Sequence, residues 1–177
     1  MTPLVIPKPD PSEYAPYYGK YIGLVQGDDV LRALTDQIDK SLATLRGVSE
    51  EGSLKRYAPG KWSMREVAGH LIDTERIFAY RALRFARNDP TELPGFEQDD
   101  YIPAAHFDTR PWKDLLGEFD LVRRGNLCMF RGLDAEAWLR RGVASKCEIS
   151  VRAAAYVIAG HELHHLRILR TKYISFD

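Results

Sequence analysis

The chain has 177 residues, 45% hydrophobic and 28% charged, which describes one soluble globular core and excludes a disordered or membrane-embedded chain. Twenty-five basic residues balance twenty-five acidic ones, so no net positive field draws in nucleic acid or an anionic membrane. There is no run of eighteen apolar residues, no basic and apolar leader in M-T-P-L-V-I-P-K-P-D, and no paired spacing for Cys128 and Cys147; a cytoplasmic protein with free thiols is expected.

Residues 1–27 carry five of the ten prolines and the cluster Y-A-P-Y-Y-G-K-Y at Tyr14–Tyr21. So many prolines and glycines predict an extended arm, whose tyrosines pack along the surface of the domain at 28–177. Asp28 or Asp29 caps a first helix with Val30, Leu34, Ile38, Leu42 and Leu45 on one stripe, and Gly47 ends it. Ser63 and Glu66 form a capping box for a second helix, which presents Val67, Leu71, Thr74, Ile77, Phe78 and Phe85 on one side and stops near N-D-P at Asn88–Pro90.

A long connection rich in Pro, Gly and Asp follows, to about Arg110, of the kind that serves as a crossover or carries function. A third helix from about Pro111 to Arg131 presents Trp112, Leu115, Leu116, Phe119, Val122 and Leu127. A short piece at Asp134–Trp138 leads to a last helix capped by Ser150. Four amphipathic helices with no convincing strand predict an all-α four-helix bundle.

The last helix contains G-H-E-L-H-H at Gly160–His165, and H-E-x-x-H on a helix is a zinc-protease pattern. At 100° per residue His161 and His165 share the apolar stripe with Ala154, Ile158 and Ile168, so both face the core, one turn apart. His164 lies about 60° to the other side, flanking the pocket or facing solvent. A protease takes its third ligand downstream, yet the twelve residues L-R-I-L-R-T-K-Y-I-S-F-D offer no His or Glu and only a terminal Asp.

The third ligand therefore lies upstream. His70 shares an inward face with Val67, Thr74, Ile77, Arg81 and Phe85 and is the better candidate; His106, in the long connection, is the reserve. Three inward imidazoles are hard to satisfy without a cation. Glu162, the base in a protease, sits about 100° from His161 and is a weak catalytic candidate. Asp73 and Glu75 are read as partners of an imidazole N–H or as helix-surface charges, and inward Arg81 as a receiver of a substrate carboxylate or the partner of a buried acid.

The segments P-G-K-W-S-M-R-E-V-A-G-H-L-I-D-T-E-R (Pro59–Arg76), L-P-G-F-E-Q-D-D-Y (Leu93–Tyr101) and A-G-H-E-L-H-H-L-R (Ala159–Arg167) resemble the DinB-like (DinB/YfiT) family over residues 28–173. The resemblance implies an up-down-down-up bundle with a crossover between its second and third helices, which the long connection is able to span. It carries the family's metal triad onto His70, His161 and His165, and it implies nickel or zinc, a homodimer, and, in related members, transfer of a low-molecular-weight thiol.

The first functional expectation is a metal-dependent thiol S-transferase acting on a small-molecule substrate, with Arg81 and the Asp99, Asp100 and Tyr101 loop as substrate contacts. A metal-dependent hydrolase, and a metal-binding stress-response protein without catalysis, are the alternatives.

Overall fold

The computed structural model describes residues 4–174. Its frame is four long helices, α2 (Val30–Arg46), α3 (Met64–Ala86), α5 (Trp112–Arg131) and α7 (Val151–Ile168), with short helices α1 (Gly19–Ile22), α4 (Gln98–Ala105) and α6 (Ala135–Leu139) in the connections. The long helices begin where local chemistry satisfies their first N–H groups. Asp29 accepts from Leu31 N at 3.1 Å, Ser63 and Glu66 close a reciprocal capping box, and Ser150 accepts from Ala153 N at 3.0 Å.

Two apolar clusters fill the bundle. One gathers Val30 and Leu34 of α2, Phe78 to Ala86 of α3, Leu127 and Phe130 of α5, and Val151 to Ala159 of α7. The other gathers Ile38, Leu42 and Leu45 of α2, Met64 to Ile72 of α3, Trp112 to Phe119 of α5, and Leu166 of α7. Each cluster thus collects the starts of one pair of helices and the ends of the other: α2 and α7 run one way, α3 and α5 the opposite way. The segment between α3 and α5 must travel the length of the bundle, and it does, leaving Leu93 in the first cluster and Ile102 and Phe107 in the second.

Three elements differ from the sequence expectations. The crossover contains α4, despite Pro103, because Glu97 caps it and the proline sits near its end. The arm is coiled rather than extended: Pro11 and Pro16 open 3₁₀ turns, where a missing N–H costs nothing, and α1 follows. A two-stranded antiparallel hairpin, β1 (Arg141–Ala144) with β2 (Cys147–Ser150), precedes α7. Its central residues are Ser145 and Lys146, both at positive φ (54° and 62°), a conformation usually given to Asn-Gly. Leu93 pairs with this hairpin through Leu93 N to Val143 O (2.9 Å) and Ser145 N to Leu93 O (3.0 Å).

The arm is bolted to the start of α7. Tyr156 donates to Ile6 O at 3.0 Å, and buried Glu13 accepts from Ser150 Oγ at 2.7 Å and from Arg152 Nε at 2.8 Å. No described helix is long and apolar enough to cross a membrane.

Candidate metal centre

The pairing of α3 with α7 sets the site, and two glycines let neighbouring segments close over it. A Cβ on Gly69 would lie 2.4 Å from the Phe107 ring, so the crossover sits flush on α3 beside His70. A Cβ on Gly160 would meet the Tyr21 carbonyl at 2.0 Å, so the arm backbone lies directly on α7 beside His161. The Tyr21 ring then stands edge-on to His161 and His164, at centroid distances of 5.3 and 5.5 Å.

His70, His161 and His165 converge. The Nε2 of His161 lies 3.0 Å from that of His70 and 3.1 Å from that of His165, and the three ligand atoms fall within 4.8 Å of one another. His70 and His161 are buried, His165 half-buried. Trp62 leans on the His70 ring at 5.0 Å, and Thr74 Oγ1 lies 3.5 Å from His70 Nδ1.

Burial pushes the His70 imidazole down to about 4. Burial, then the nearby His70 and His164, push His165 to about 3. Burial first, and then the other imidazoles and Lys20, hold His161 well below the usual range. At neutral pH all three rings are uncharged.

Two close N···N contacts then share the single Nε2 of His161, which offers either one proton or one lone pair, so both contacts cannot be good hydrogen bonds. A divalent cation would resolve the conflict. Metal–nitrogen distances of about 2.0–2.1 Å place adjacent ligand nitrogens about 3 to 3.4 Å apart, close to the two spacings from His161, and neutral imidazoles suit first-row divalent metals.

A cavity of about 240 Å³ opens beside the rings. It is lined by His70, His161 and Thr74, by Tyr17, Tyr18 and Tyr21 of the arm, and by Arg81, Phe96 and Ser145. Arg81 is buried, and its Nη2 donates to Pro94 O and Ser145 Oγ, each at 2.9 Å.

Other residues singled out from the sequence lie elsewhere. Glu162 is buried with its carboxylate turned away from the rings, accepting from Arg123 Nη2 at 2.7 Å and from Ser41 Oγ. Glu75 is neither an imidazole partner nor a surface charge: it takes a two-pronged bond from Arg123, Nε to Oε1 at 2.8 Å and Nη2 to Oε2 at 2.9 Å. Asp73 lies half-buried near Arg76 and Glu118, whose charges act on its carboxyl.

Exposed Tyr101 packs against Phe96 at 5.6 Å and lines, with Tyr80 and Arg76, a second hollow that shares Arg81 and Phe96 with the first, while Asp99 lines a third. His106 is exposed, at φ 51°, outside the triad. His164 is half-exposed, its ring 5.1 Å from that of His165.

Sequence reasoning preferred surface packing to a substrate-binding role for the arm tyrosines that line the cavity, and it missed Ser145 as a cavity wall. The tyrosine cluster was the available signal; Ser145 had none.

The family model described as the DinB superfamily matches residues 33–169. This chain belongs to the DinB superfamily. Among solved structures, this DinB-superfamily chain is similar to YfiT from Bacillus subtilis, at 19% identity and a TM-score of 0.66, over 95% of this chain and 94% of that one. YfiT is described as a probable metal-dependent hydrolase with an unusual four-helix bundle topology. A search of curated proteins finds no match.

Proposed function

We propose that the protein is a metal-dependent enzyme whose cation is held by His70, His161 and His165. The observation that carries this reading is the convergence of three neutral Nε2 atoms next to a cavity of substrate size. A bound zinc or nickel ion supplies Lewis acidity there, lowering the pKa of a water or thiol.

The chain's own residues supply the rest. Three uncharged donors leave the cation its full positive charge, and the Tyr21 and Trp62 rings keep bulk water off two of the imidazoles. Tyr17, Tyr18 and Arg81 offer hydrogen-bond donors to whatever enters the cavity.

Water as the nucleophile makes the enzyme a hydrolase, the reading that the likeness to YfiT favours. One observation favours the S-transferase reading instead. Glu162, the base that H-E-x-x-H would provide, is tied to Arg123 and Ser41, and a thiolate attacks without a base.

Cobalt substitution tests both. Cobalt(II)-loaded protein should show d–d absorption that His70→Ala and His165→Ala abolish; unchanged spectra in both variants would refute the metal centre. A spectral change on adding a cellular thiol, with transfer to an electrophile, assigns the transferase; ester turnover without thiol assigns the hydrolase.

A further inference from the structure

Three arginines are buried in the described structure: Arg65, Arg81 and Arg123. Arg123 faces two carboxylates, and Arg65 pairs with Glu50 at 2.6 Å. Around Arg81 no described carboxylate lies within 4.0 Å. Its polar neighbours are neutral: the Pro94 carbonyl, the Ser145 hydroxyl and Tyr18. Glu97 lines the same cavity, but its bonded partner is Asp99 N, at 3.4 Å. A guanidinium 3% exposed without a counter-charge is costly.

We propose that Arg81 is a substrate-binding residue that receives the acidic group, a carboxylate or phosphate, of a small-molecule substrate whose reacting centre lies at the histidines. The Pro94 and Ser145 bonds occupy both hydrogens of Nη2, leaving Nε and Nη1 with only the Tyr18 hydroxyl nearby among the described protein acceptors. The Phe78 and Phe96 rings lie 5.1 and 5.8 Å from the guanidinium carbon, within reach of cation–π attraction. The hairpin turn holds Ser145 against Arg81 through two residues at positive φ, a conformation that residues other than Gly, Asn and Asp seldom adopt.

Arg81 also has the right place on α3. It follows His70 by eleven residues (81 − 70), three helical turns that return to the same face after about 16 Å of rise. Its side chain leans toward the helix start, back along the cavity. Substrates are therefore acids with the reacting bond several atoms from the acidic group. A purely structural role, tying crossover and hairpin to α3, accounts for Nη2 alone.

This proposal rests on the metal-enzyme reading for the reacting end only, so binding rather than turnover tests it. Phenylacetate, phenyl phosphate and neutral phenylacetamide are titrated calorimetrically into wild type, Arg81→Met and Arg81→Lys, each cobalt-loaded and after chelation. Wild type should bind one of the two anions at least tenfold more tightly than the amide, and the tighter one names the acid class.

Arg81→Met should erase that preference, and Arg81→Lys should keep part of it, which decides the matter if the Met variant does not fold. Equal affinities for all three probes in wild type, or a preference undiminished in both variants, would overturn the proposal. A preference for the acid in wild type that survives chelation separates the Arg81 site from the cation; failure to bind cobalt at all would sink the metal reading while leaving this one standing.

Discussion

Two buried polar clusters share the interface of α3 and α7. One is the histidine group; the other is Glu75, Arg123 and Glu162, with Ser41 and Asn126 as further donors. His161 and Glu162 are chain neighbours, yet each serves a different cluster. The carboxylate cluster is complete: Arg123 also donates to Leu34 O at 3.1 Å. Burial alone would lower the pKa of its guanidinium, but Glu162 and Glu75 raise it above the usual range. The small gap between Arg123 and His161 has no room for a water molecule.

The histidine cluster asks the one Nε2 of His161 to serve two contacts, which protons alone cannot satisfy, and it adjoins a cavity. Satisfaction separates the two: a closed ionic network is architecture, whereas an unsatisfied one beside a cavity leaves lone pairs for a ligand or cation to meet.

The contrast breaks most sharply at Arg123. Arg123→Met leaves two buried carboxylates unpaired and should cost about 3–5 kcal/mol, seen in urea denaturation with or without cation. His165→Ala should instead weaken cobalt binding at least a hundredfold, about 2.7 kcal/mol. Thermal scans should show the cation's stabilising increment erased.

Acid should divide the clusters next. His70 has a folded pKa of about 4 against 6.5 unfolded, so below 6.5 the unfolded chain binds more protons. Stability of the chelated protein should fall as pH falls from 7 to 5, by about 1–2 kcal/mol from His70 alone; a flat urea midpoint across that range would contradict the burial of the rings. Smallest is Ser41→Ala, which removes one donor to Glu162 while Arg123 remains. It should cost about 1 kcal/mol and leave the cobalt spectrum unaltered.

What could be read from the sequence was local or periodic. The Ser63–Glu66 box, the Asp29 and Ser150 caps and the shared face of His161 and His165 need only neighbouring residues, and His70 followed from its own helix wheel. Partners distant along the chain were out of reach. Val122 was expected in the core and packs half-buried against it, but the fully buried position beside it belongs to Arg123, since a charge enters an apolar stripe only when carboxylates from two other helices meet it. The hairpin escaped because its strands have four residues each and its turn lacks glycine. The arm's tyrosines were read as surface packing, because nothing local reveals that α7 has a bare glycine beneath them.

Gly160 sets how closely the arm can lie on α7. With the Tyr21 carbonyl filling the space of the absent methyl, a single added carbon at that position acts as a wedge, lifting the N-terminal segment and opening the imidazoles to bulk water. The chamber's depth is therefore set by the smallest side chain in the helix.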